Sequence, residues 1–174
     1  MNDAKKILGQ ITDAMQAPSV ESDRVFLVVL DNSVEMRVAL QFACLRARHT
    51  GGRVAFLFVQ EHADFQHWVA VGDLMREEAR EEGEEMLQRL SADALKWAGS
   101  LPIYYMREGN RREELFSLLE EEPSISVVVL AASAGPEGPG PIISYVLGKG
   151  AGHFRIPITI VPGSLTEEEI VALT

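Results

Sequence analysis

From residue 25 onward the chain alternates short, β-branched apolar runs with longer segments of helical period, and this alternation narrows the available folds more than any other feature. Val25-Phe26-Leu27-Val28-Val29-Leu30 is apolar without interruption, as a strand covered on both faces must be. Further runs at Val54–Val59, Pro102–Met106, Ile125–Leu130 and Ile156–Val161 predict four more strands. Helical spacing places Val34, Val38, Phe42 and Leu45 on the inner face of a first helix, which Asp31, Asn32 or Ser33 can cap and Gly51-Gly52 ends. A second helix is predicted from Leu74 to Ala98, with Met75, Ala79, Met86, Leu90 and Ala94 or Trp97 inward. Asn110 caps a third, which carries Leu115, Leu118 and Leu119 and stops before Pro123. Thr166 caps a short acidic helix within Leu165–Leu173.

Parallel strands need right-handed crossovers, so the expected fold class is α/β, a doubly wound five-stranded parallel sheet for which the order 3-2-1-4-5 is one standard solution. The 174 residues fit a single domain. Residues 1–23 read as an N-terminal extension, in which Ile7, Leu8, Ile11 and Met15 have the spacing of a short amphipathic helix. Residues 24–163 read as the domain, and 164–174 as the closing acidic helix. In this order the chain reverses between strands one and four. A ligand is therefore expected at their carboxyl ends, where Asp31 meets the loop after Leu130.

In that loop Gly135, Gly138 and Gly148 have the spacing G-x2-G-x9-G. Glycines so placed let backbone N–H groups approach phosphate oxygens. With the strand ending in Asp31, the strand Val54–Val59, the Arg107-Glu108-Gly109 segment and Ile156–Val161, the loop resembles the universal stress protein family over roughly residues 24–163. The resemblance implies an adenine-nucleotide alpha-hydrolase-like fold. It also implies a non-catalytic, stress-associated regulator that binds ATP or another adenine nucleotide, with Mg²⁺ as a candidate companion. By position, Gly135, Gly138, Gly148 and Lys149 would surround the phosphates, Asp31 would hold the ribose hydroxyls, and Val59 would lie beside adenine. A homodimer through Ile156–Val161 is implied as well, and agrees with the unpaired edge that this strand would present.

Two residue patterns depart from the family. Lys149 stands where the family has Ser or Thr after the last glycine, free to act as a point charge on phosphate, to face solvent, or to pair with Glu137. Pro136, Pro139 and Pro141 each remove a backbone donor from a segment expected to donate. The alternative is a nucleotide-independent homodimeric adaptor, with Gly135–Pro141 a stiffened turn and Gly148, Gly150 and Gly152 serving close packing. A slow ATP hydrolase is a more distant alternative, since nothing reads as a placed general base.

Charge and composition bear on other classes. The net charge of −10 opposes a general attraction to nucleic acid or anionic lipid, so neither is an expected partner. No stretch approaches the roughly 18 apolar residues of a membrane span, and the first residues lack a signal peptide's apolar core, so a cytoplasmic location is expected. Cys44, the single cysteine, reads as a buried thiol. His62 and His67 are five apart, unlike a helical metal-binding pair, so Glu61–His67 reads as a polar connection. Ser133 and Ser144 have no identifiable base, and no Walker-type loop is present.

Overall fold

The computed structural model describes residues 24–31, 33–61 and 69–174. Five parallel strands form one sheet in the order β3-β2-β1-β4-β5. These are β1 (Val25–Val29), β2 (Arg53–Gln60), β3 (Ile103–Glu108), β4 (Ile125–Ala132) and β5 (Ile158–Pro162). Helices α1 (Met36–Thr50), α2 (Val69–Ala98), α3 (Arg111–Glu121), α4 (Pro141–Tyr145) and α5 (Glu167–Leu173) connect or follow them. The expected fold class and strand order are those observed. Residues 1–23 and the His62–His67 connection lie outside the described residues, as do the side chains of Met75 and Ala79.

All five residues of β1 are buried, because helices cover both faces of the sheet. Phe26, Val28 and Leu30 face α1 and α2, packing with Leu40, Ala43, Cys44, Phe56, Leu90 and Trp97. Val25, Leu27 and Val29 point the other way, toward Leu115 and Leu118 of α3 and Ile142, Ile143 and Val146. The period-two alternation of a strand thus gives one segment to two cores. Burial pushes the Cys44 thiol up to about 12, with Asp93 adding to the same direction, so it is an inert core group at neutral pH.

The inner face of α1 differs from expectation. Met36, Ala39, Leu40, Ala43, Cys44 and Ala47 are buried, whereas Val38 and Phe42 are only partly buried and Val34 is 85% exposed. Small residues at helical spacing let the axis approach the sheet closely, so Ala and Cys occupy the centre of the contact and the larger side chains border it. Val34 precedes the helix. Among the proposed cap residues, the Ser33 hydroxyl accepts from the Met36 N–H at 3.2 Å, and Asp31 Oδ1 in turn accepts from the Ser33 N–H at 2.9 Å.

Strand β5 starts two residues later than expected. Pro157 has no N–H, but its carbonyl accepts from Val128 N–H at 3.0 Å, and paired residues begin with Ile158 opposite Val128. The remaining ends follow their caps. Asn110 Oδ1 accepts from the N–H groups of Arg112 and Glu113 at 3.1 and 3.3 Å to start α3. Thr166 and Glu169 form a reciprocal capping box at the start of α5. Among the described residues no helix is long and apolar enough to cross a membrane.

Candidate functional site

Parallel strands bring all their carboxyl ends to one rim, and β1 and β4 are the neighbours from which the chain departs in opposite directions. A crevice opens between their ends. Its floor is Val29, Leu130 and Ala131, its outer wall is Pro139-Gly140-Pro141 with Ile142 and Ile143 of α4, and its two charged residues are Asp31 and Arg111. The cavity measures about 30 Å³, room for one or two water molecules.

The wall is built from backbone conformations that only glycine adopts readily. Gly138 has φ +91° and Gly140 φ +105°, so Pro139 is held between two left-handed positions. Gly140 then precedes α4, whose first residue is Pro141, where a missing N–H is tolerated. Two of the loop's glycine donors are occupied locally. Gly135 N–H donates to the Ser133 hydroxyl at 3.1 Å, and Gly138 N–H to the Gly135 carbonyl at 3.3 Å. The Ser133 hydroxyl donates to Glu35 Oε1 at 3.2 Å, tying the loop to the start of α1.

Of the residues singled out from the sequence, Asp31 lines the crevice, and its carboxylate accepts from both the N–H and the hydroxyl of Ser33. Val59 is buried in β2 on the same face of the sheet as Val29. Gly135 is exposed and Gly138 half-buried in the loop before the crevice wall. Gly148 and Lys149 are exposed in the π-helical turn Val146–Gly150 that continues α4. The crevice therefore gathers Asp31, while Gly135, Gly138, Gly148, Lys149 and Val59 lie outside its lining.

Arg111 is the residue that sequence reasoning missed. It is the first residue of α3, at the carboxyl end of β3, and its backbone N–H donates to Glu61 Oε1 at 3.3 Å while Nη2 pairs with Glu61 Oε2 at 3.2 Å. Its Nε is buried and has no hydrogen-bond acceptor among the described residues. The available signal was positional, since every residue just past a parallel strand sits on the same rim. Glu35 was missed as well. Its pairing with Ser133 spans 98 residues, and no local pattern announces such a contact.

A second, open groove of about 730 Å³ lies on the other face, between the start of α1 and α2. Two cations line it, Arg37 and Arg89, of which Arg37 bonds Asp93 at 3.0 Å and lies 5.4 Å over the Trp97 ring. The side chain of Asp31 borders both spaces.

Comparison with known proteins adds the family. A search of the curated proteins finds no match. Among solved structures, the chain is similar to the universal stress protein UspA from Lactobacillus plantarum, with TM-score 0.66 at 16% identity, covering 79% of this chain and 97% of that one. A universal stress protein family member from Burkholderia pseudomallei gives 0.63 at 21% identity, covering 83% and 99%. A family protein from Arabidopsis thaliana with AMP bound gives 0.56 at 13% identity, covering 84% and 94%. These likenesses establish the fold. The family model described as universal stress protein family matches residues 24–162, most of the chain's length, and on that match the chain belongs to the universal stress protein family.

Proposed function

We propose that this chain is a non-catalytic regulatory protein that binds an adenine nucleotide in the crevice between β1 and β4, the bound state altering its contacts with partners. The observation that carries this reading is the crevice at the sheet's reversal point, with the Asp31 carboxylate on its rim and a wall hinged by Gly138 and Gly140. The AMP held by the Arabidopsis relative supports it at the level of the family. A nucleotide is larger than this cavity, so on this reading it extends from the open side of the crevice and the Gly138–Pro141 wall moves outward to admit it. Residues in left-handed conformations on either side of a proline suit such a pivot.

A second reading has its own observation. The amides of Gly135 and Gly138 are engaged within the loop and prolines line the crevice, which favours a nucleotide-independent homodimeric adaptor. Both readings use a homodimer through β5, which lies at the sheet edge with Ile158 and Ile160 only partly buried. Isothermal titration with AMP, and with ATP plus Mg²⁺, separates the two. Heat of binding that disappears in Asp31→Ala supports the nucleotide reading. No heat with any adenine nucleotide, together with a dimer mass by light scattering, selects the adaptor.

A further inference from the structure

We propose that Arg111 is the phosphate-reading residue of the crevice and that the site selects adenine nucleotides carrying a single phosphate over the triphosphate; this rests on the nucleotide reading above. Arg111 is the crevice's one cation among the described residues. Its guanidinium is oriented by Glu61, which takes Nη2 and the backbone N–H at the start of α3. Glu61 leaves Nε unserved: the atom is buried and has no acceptor among the described residues. A buried donor without a partner is rare in folded proteins and gains most when an acceptor arrives. A charged acceptor such as a phosphate oxygen gains more than a neutral one, because guanidinium bonds to anions are among the strongest a side chain makes.

The same surroundings limit how many phosphates the site accepts. Asp31 and Glu61 contribute two negative charges beside the single guanidinium. A second or third phosphate adds charge but meets few donors. Gly135 and Gly138 have committed their N–H groups, Pro139 and Pro141 have none, and Lys149 stands outside the crevice on an exposed turn, which leaves the backbone N–H groups of Gly140, Ile142 and Ile143 as the lining's remaining main-chain donors on this wall. One anionic group satisfies Nε, and the rest of a triphosphate lies against carboxylates without compensation.

The experiment is isothermal titration of the full chain with adenosine, AMP and ATP plus Mg²⁺, on wild type, Arg111→Met and Arg111→Lys, each variant first checked by thermal melting. In wild type, AMP binds about tenfold to a hundredfold more tightly than adenosine, the range of one charge-assisted hydrogen bond, and ATP binds no more tightly than AMP. Arg111→Met removes the preference for AMP, so that the variant binds AMP no more tightly than it binds adenosine. Arg111→Lys recovers only part of the difference, because an ammonium lacks the planar fork that Glu61 orients. Adenosine and AMP binding equally in wild type, an unchanged AMP preference in Arg111→Met, or ATP binding tenfold more tightly than AMP each overturns the assignment while nucleotide binding stands. If none of the three ligands binds wild type, the nucleotide reading fails and the assignment fails with it.

Discussion

Leu30 and Asp31 are adjacent in the chain and belong to different regions of the molecule. Leu30 is 1% exposed and closes the packed floor, where both faces of β1 meet helices and its neighbours are apolar. Asp31 begins the rim, where Arg111 Nε has no acceptor among the described residues, Gly138 and Gly140 hold left-handed conformations, and Glu35 reaches across to Ser133. In the floor, stability rests on close packing and apolar burial. On the rim, charge, polar contacts and backbone freedom accumulate instead. The difference teaches that this sheet separates its two tasks along the strand axis, so substitutions in each region should show distinct signatures.

The largest effect is expected in the floor. Phe56 is fully buried and meets Tyr104 edge-on with ring centroids 6.0 Å apart. Phe56→Ala removes the ring and leaves a cavity that the helices only partly close, at a cost of about 3–5 kcal/mol in chemical denaturation. Ligand affinity of the folded fraction should be untouched. A loss below about 1 kcal/mol would contradict the tight packing assigned to this region.

A smaller effect is expected where the rim is tied together. A Cβ on Gly163 would lie 2.0 Å from Glu35 Cγ and 3.0 Å from the Ala132 carbonyl oxygen. Gly163→Ala therefore drives Glu35 off its seat and away from Ser133, costing about 1–3 kcal/mol as overpacking does. Adding Glu35→Gly removes both Glu35 contacts, Cγ at 2.0 Å and Cβ at 2.5 Å, and should return part of that loss. If the double variant is no more stable than Gly163→Ala, the constraint lies in the backbone at Ala132 and not in the Glu35 link.

The floor was largely legible in the sequence, and the rim only in outline. An unbroken run such as Val25–Leu30 has few uses other than a doubly covered strand, and Asn110 and Thr166 announce their helices by local chemistry that the structure reproduces. Helix faces were less legible. On α1 the burial of small residues follows from how closely the helix approaches the sheet, a distance that periodicity does not encode. The place of the site could be derived from strand order, because reversal between β1 and β4 brings Asp31 to the crevice. For Arg111 strand order gives only a place on the rim. The Glu61 contact that fixes its guanidinium joins residues 50 apart and has no local signal.

The smallest effect sharpens the comparison at the sheet's edge, away from both regions. Arg107 on β3 bonds the Glu121 carboxylate at 2.6 Å, and Ser117 bonds the other oxygen at 2.8 Å. The bond from Arg107, and then that from Ser117, holds Glu121 below the usual Glu range, and Arg107 is raised by the same partner. A carboxyl group with a lowered folded value stabilises the fold fully above its unfolded value, about 4.3, and that contribution is lost as pH falls through the lowered folded value. Because the pair is exposed to solvent and salt, its contribution is slight despite the short distance. Glu121→Gln should lower the melting temperature marginally at pH 7 in low salt, and the difference from wild type should vanish both in acid and at high ionic strength. A difference that persists in acid would mean that the side chain acts through packing or neutral hydrogen bonding, and an edge position would then behave as the floor does.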